Sequence, residues 1–70
     1  MSNWYVIVNE EGKYLQLAGN DWVNDIRQAE VFAFLASAKA ALRRVIRVRP
    51  GARIERIPRL PDRIPRNGQR

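Results

Sequence analysis

The chain opens on a run of β-branched and aromatic side chains, Trp4-Tyr5-Val6-Ile7-Val8, that suits a pleated, half-buried strand. Asn9-Glu10-Glu11-Gly12 follows, with Asn at the first and Gly at the fourth position of a type I turn. A Gly in that place takes the left-handed conformation and forms a bulge, so Lys13-Tyr14-Leu15-Gln16-Leu17 becomes the return strand of a hairpin. In that register Asn9 faces Lys13, Ile7 faces Leu15 and Tyr5 faces Leu17. Tyr5, Ile7, Leu15 and Leu17 then share one face, and Trp4, Val6, Val8, Tyr14 and Gln16 share the other. A slip of one residue would mix the two sets. Both faces carry apolar bulk.

Residues 18–28 read as a loop in which Asn24-Asp25 starts a short helical turn and Trp22 plugs one end of the core. Ala29-Glu30-Val31-Phe32-Ala33 reads as a third short strand. From Phe34 to Val48 the period changes to that of a helix, with Leu35, Ala38, Leu42, Val45 and Ile46 on one apolar stripe. Arg49-Pro50-Gly51 terminates it. Ala52–Ile57 forms at most a short edge strand before Pro58. The expected fold is α+β: a small antiparallel sheet, a β-hairpin plus one or two further strands, packed on one α-helix. Residues 1–57 make a single ββ-β-α-β domain. Residues 58–70, with Pro58, Pro61 and Pro65 among Arg59, Arg63, Arg66 and Arg70, make an extended or disordered basic tail.

Composition narrows the chemistry. The 70 residues include no Cys and no His, so a disulfide framework and a thiolate zinc site are excluded and the usual proton shuttle is missing. Ser2 and Ser37 have no base or phosphate-cradling loop beside them, which points away from an enzyme and from any cofactor. No apolar run reaches the length of a membrane span, so the expected location is the cytoplasm, with no membrane partner. The net charge of +6 is unevenly spread: residues 1–35 carry a net of −3 and residues 36–70 a net of +9. Eleven of the thirteen cations are Arg, whose planar fork suits phosphate or carboxylate.

The order Tyr5-Val6-Ile7, Gly12-Lys13-Tyr14-Leu15, Trp22, Asp25, Ala29-Glu30-Val31-Phe32 and Ala38-Lys39-Ala40-Ala41 resembles short α+β proteins of phages and prophages. In that pattern a Ser or Thr caps the helix near position 34, where this chain has Phe34. The resemblance implies an accessory protein of a mobile element acting in a bacterial host cell, with inhibition of the anti-CRISPR type as its most concrete form. It carries no catalytic residues.

Three groups of residues are candidate sites. Lys39, Arg43, Arg44 and Arg47 lie on one face of the helix, continued by Arg49, Arg53 and Arg56, and suit an anionic partner: an acidic host protein or ribonucleoprotein, or nucleic acid directly. The plainer alternative is a solvated face that complements the helix dipole, although cations without acidic partners a turn away repel one another. Trp4, Val6, Val8 and Tyr14 form the second group. One helix covers one side of a sheet, so this set is an exposed interface for a partner or a homodimer, or else the tail folds over it through Leu60 and Ile64. The third group, Asp21, Asp25 and Glu30 with Asn20 and Asn24, has the oxygen ligands of a cation site without the spacing of a calcium loop, and turn formation accounts for it.

Overall fold

The computed structural model describes residues 3–16 and 21–61. Four strands, a short 3₁₀ turn and one helix follow in the order β1 (Trp4–Val8), β2 (Tyr14–Leu15), β3 (Trp22–Val23), the 3₁₀ turn Ile26–Gln28, α1 (Leu35–Val45) and β4 (Arg53–Ile57). The sheet is antiparallel throughout, with strand order β3-β2-β1-β4. The fold is therefore small α+β, as the pattern requires. The hairpin keeps the bulged register: Val8 pairs with Tyr14, the Asn9 N–H donates to the Lys13 carbonyl at 2.9 Å, and Gly12 sits at φ 79°. Asn9 itself is fully buried, and its Oδ1 accepts from the Glu11 and Lys13 amides at 2.8 and 3.0 Å. This local side-chain bond is what makes Asn the turn-initiating residue here.

Several expectations are corrected. Trp22-Val23, read as loop, forms a two-residue strand against Leu15 and Tyr14. Residues 29–33 do not form a strand. Phe32 alone bridges to Tyr5, exchanging backbone bonds of 2.9 and 2.8 Å with it, and so takes the pairing position expected of Leu17, which lies outside the described residues along with Asn20 and Ile64. The helix runs over Leu35–Val45, three residues short of Val48. Val45 accepts from the Val48 and Arg49 amides, which closes the helix end, and Arg49 accepts from the Ala52 amide across a turn with Pro50 and Gly51 at its centre, so the chain reverses toward β4 at the Arg49-Pro50-Gly51 stop. Phe34 takes the N-cap position with no side-chain bond to the helix, as a residue lacking a short polar side chain must.

Each face of β1 has its own cover. On one side Ile7, Leu15, Ala41 and Ala52 are buried with Trp22, Phe32, Leu42, Val45 and Ile54 around them, beneath α1. Ala38 and Ala41 let the helix come close, whereas Leu35 and Ile46, expected in the stripe, flank it at 41% and 38% exposed. On the other side Val6, Val8 and Ala29 are buried among Tyr14, Ile26, Val31 and Ile57. Neither an open face nor the C-terminal tail is needed to explain this. The link between β3 and α1 supplies the cover, because Asp25 caps the 3₁₀ turn through a 2.9 Å bond from the Arg27 amide and turns Ile26 and Ala29 inward. Arg27 returns to Asp25 with a two-pronged ion pair at 3.1 and 2.9 Å, which locks the turn.

This arrangement makes a test of the second layer. Val6→Ala removes two methyl groups from a fully buried site and is expected to cost about 2 kcal/mol, measured by denaturant unfolding. A solvent-facing Val6 would leave stability unchanged within about 0.5 kcal/mol.

Candidate basic surface

The helix turns its cations away from the sheet because its buried positions are Ala38 and Ala41 with Leu42 and Val45 beside them. Lys39 and Arg43 stand about one turn, roughly 6 Å, apart along the helix. Arg44 follows directly, and Arg47 lies in the turn after the helix. Ala40, Arg43, Arg44 and Arg47 border one shallow, open groove. All four cations of this group are exposed, and none has an ion pair among the described residues. No acidic side chain occurs in α1 to offset them.

The rest of the sequence-predicted ridge is divided. Arg49 donates to Glu10 Oε2 at 2.8 Å and lies 5.9 Å from the Trp22 ring centroid, so it is a structural tie rather than part of an open surface. It joins the hairpin turn, the end of α1 and the edge of the sheet. Its neighbour Gly51 permits the approach: a Cβ there would stand 2.9 Å from Glu10 Cβ, closer than packed carbons come. The Glu10–Arg49 pairing spans 39 residues, and neither residue's local pattern signals it. Arg53 lies 3.8 Å from Glu55 and reaches the Asn9 carbonyl at 3.5 Å. The β1–β4 register sets Arg53 on the face of Val8 and Arg56 on the face of Tyr5, so the two point to opposite sides of the sheet. Arg56 shares the helix-bearing side with α1.

The second candidate group is lost as an open surface. Val6 is completely buried and Val8 is 3% exposed, while Trp4 and Tyr14 are half-buried. Val6 and Val8 are thus withdrawn from any contact surface, which leaves only the uncovered parts of Trp4 and Tyr14. In the acidic group, Asp25 is committed to Arg27, and no cluster of three acidic side chains suited to a metal forms among the described residues. The Arg27 guanidinium, followed by the Arg27 amide, holds the Asp25 carboxyl below the usual range.

Comparison with known protein families, curated proteins and solved structures gives no match for this chain. No helix among the described residues is long and apolar enough to cross a membrane.

The Arg49 tie gives a pH-dependent prediction. The Glu10 carboxyl titrates below its ordinary value of 4.5, held down by its own backbone amide first and then by Arg49. A depressed carboxylate contributes stability above its unfolded-state value and loses it as pH falls through the folded-state value. Melting temperature should therefore fall on acidification below about pH 4.5, and the fall should be shallower in Glu10→Gln. Thermal melts of both proteins across the acid range check this; parallel profiles would remove the tie from the account.

Proposed function

We propose that this chain is a non-catalytic binding protein that engages a nucleic-acid phosphate backbone through the outward face of α1. The observation that carries the reading is the group Lys39, Arg43, Arg44 and Arg47: four exposed cations with no ion pair among the described residues, the three Arg bordering an open groove, whereas Lys13, Arg27, Arg49 and Arg53 each lie against a carboxylate. Placing like charges side by side costs stability on an isolated helix, and a purely structural face tends to intersperse acidic residues. An anion laid along the face relieves that repulsion, and each neutralised phosphate releases condensed counterions. The rings of Trp4, Tyr14 and Trp22 are partly covered, and the exposed ring of Phe34 stands at the start of α1, at the other end of the helix from Arg43, Arg44 and Arg47, so no row of stacking platforms runs beside these cations, which favours a duplex backbone over splayed single-stranded bases. A nucleic acid within a ribonucleoprotein presents the same phosphates and fits the same surface.

Fluorescence anisotropy with duplex DNA and duplex RNA tests the reading. If three or four phosphates are neutralised on DNA, the slope of log affinity against log salt is about −3 to −4. Arg43→Glu/Arg47→Glu should abolish binding at low salt while leaving the melting temperature close to that of the parent, since both side chains are exposed. A salt-insensitive affinity, or one unchanged by the double substitution, would move the partner elsewhere.

A further inference from the structure

The edge of β4 is the longest strand edge that the described sheet leaves unpaired, because the other outer strand, β3, has two residues. Its free groups can be assigned. Tyr5 gives its backbone N–H and C=O to Phe32, on the side of β1 away from β4, and Ile7, two residues on, faces the same way. Their partners in β4, Arg56 and Ile54, therefore turn their own N–H and C=O outward from the sheet. Among the described residues these groups take no other backbone partner.

The margin above this edge is apolar and positively charged. α1 begins just after the Tyr5–Phe32 bridge and ends near Arg49 at the Glu10 end, so it runs in the direction of β1. With Ala38, Ala41 and Val45 turned down onto the sheet, the right-handed winding of the helix sends Leu35, Leu42 and Ile46 to the side over β4, with Lys39 and Arg43 beyond them. Leu35 and Ile46 are the half-open members of that row. Arg56, on the same side, has no ion pair among the described residues.

We propose that the β4 edge is a strand-addition site for an extended acidic segment of a partner protein whose helix-side positions, every second residue, carry apolar side chains and Asp or Glu in turn. The main chain of such a segment would complete the ladder at Ile54 and Arg56. On that one face its apolar residues would meet Leu35 and Ile46, and its carboxylates would meet Lys39 and Arg56. Charge excludes a second copy as the better occupant. In an antiparallel self-pairing that keeps both helices on one side, a register centred on Glu55 sets Glu55 against Glu55, and one centred on Arg56 sets Arg56 against Arg56. The register centred on Ile54 pairs Arg53 with Glu55, but it brings both copies' Lys39 and Arg43 margins together without a counter-charge. This proposal does not rest on the phosphate-binding reading: its main-chain contacts are at β4, and it shares with that reading only Lys39.

Backbone-amide NMR of the full chain tests it with the short capped peptide Val-Ser-Glu-Ser-Val-Ser-Glu, whose Val and Glu share one face when extended. The amides of Ile54 and Arg56 should shift and gain protection from hydrogen exchange. N-methylation at alternate peptide positions, which removes ladder donors and leaves the charge intact, should weaken binding about tenfold or more, and the same peptide with Lys in place of Glu should not bind. Equal binding of the N-methylated peptide, or shifts confined to the outer face of α1, would reduce the effect to charge attraction and overturn the proposal. Concentration-dependent protection of the same amides in the protein alone would assign the edge to a second copy. Shifts of those two amides with a DNA duplex and none with the peptide would assign it to nucleic acid. Either outcome also overturns the proposal.

Discussion

The central constraint on this fold is that β1 is apolar on both faces and must be covered twice by a chain with little material to do it. Ile7 requires one layer and Val6 and Val8 require another. The single helix supplies the first. A three-residue 3₁₀ turn and the residues after it supply the second, and they do so because Asp25 and Arg27 close that turn on itself. With β1 sandwiched in this way, most of the large apolar side chains are spent on the two cores. The helix's outer face and the far edge of β4 are left to charge.

Electrostatics then divides the cations into two populations. Arg27, Arg49 and Arg53 each lie against a carboxylate and hold parts of the backbone together. Arg49 has the widest reach, since it gathers Glu10 from the hairpin and Trp22 from the opposite edge at the point where α1 gives way to β4. Such exposed pairs contribute little individually, and their value here is in fixing geometry. Lys39, Arg43, Arg44, Arg47 and Arg56 belong to the second population. Their field is not cancelled locally, and a surface of this kind attracts polyanions and raises association rates.

The two binding surfaces proposed lie on the same side of the sheet and share the helix as their boundary. One uses the top of α1, where only charge is available, and suits a partner recognised by its phosphates. The other uses a backbone edge, where hydrogen-bond register and side-chain alternation add selectivity. A fold of this size can therefore present two recognition modes on one side of a single sheet.

The sequence by itself determined the local elements: the Asn9–Gly12 turn and its bulge, the pairing of Val8 with Tyr14, the helix and its cationic face, and the edge position of the last strand. Each depends on residues within a few positions of one another, through turn chemistry or periodicity. The tertiary structure alone decided what covers Val6 and Val8, that Phe32 pairs with Tyr5, and that Arg49 belongs to Glu10 and Trp22 instead of to an open ridge. It also decided that Arg53 and Arg56 part to opposite faces. These are contacts between segments tens of residues apart, chosen by which surfaces the packed chain brings within reach. Alternation along a strand says that two faces differ, but not which segment will bury either one.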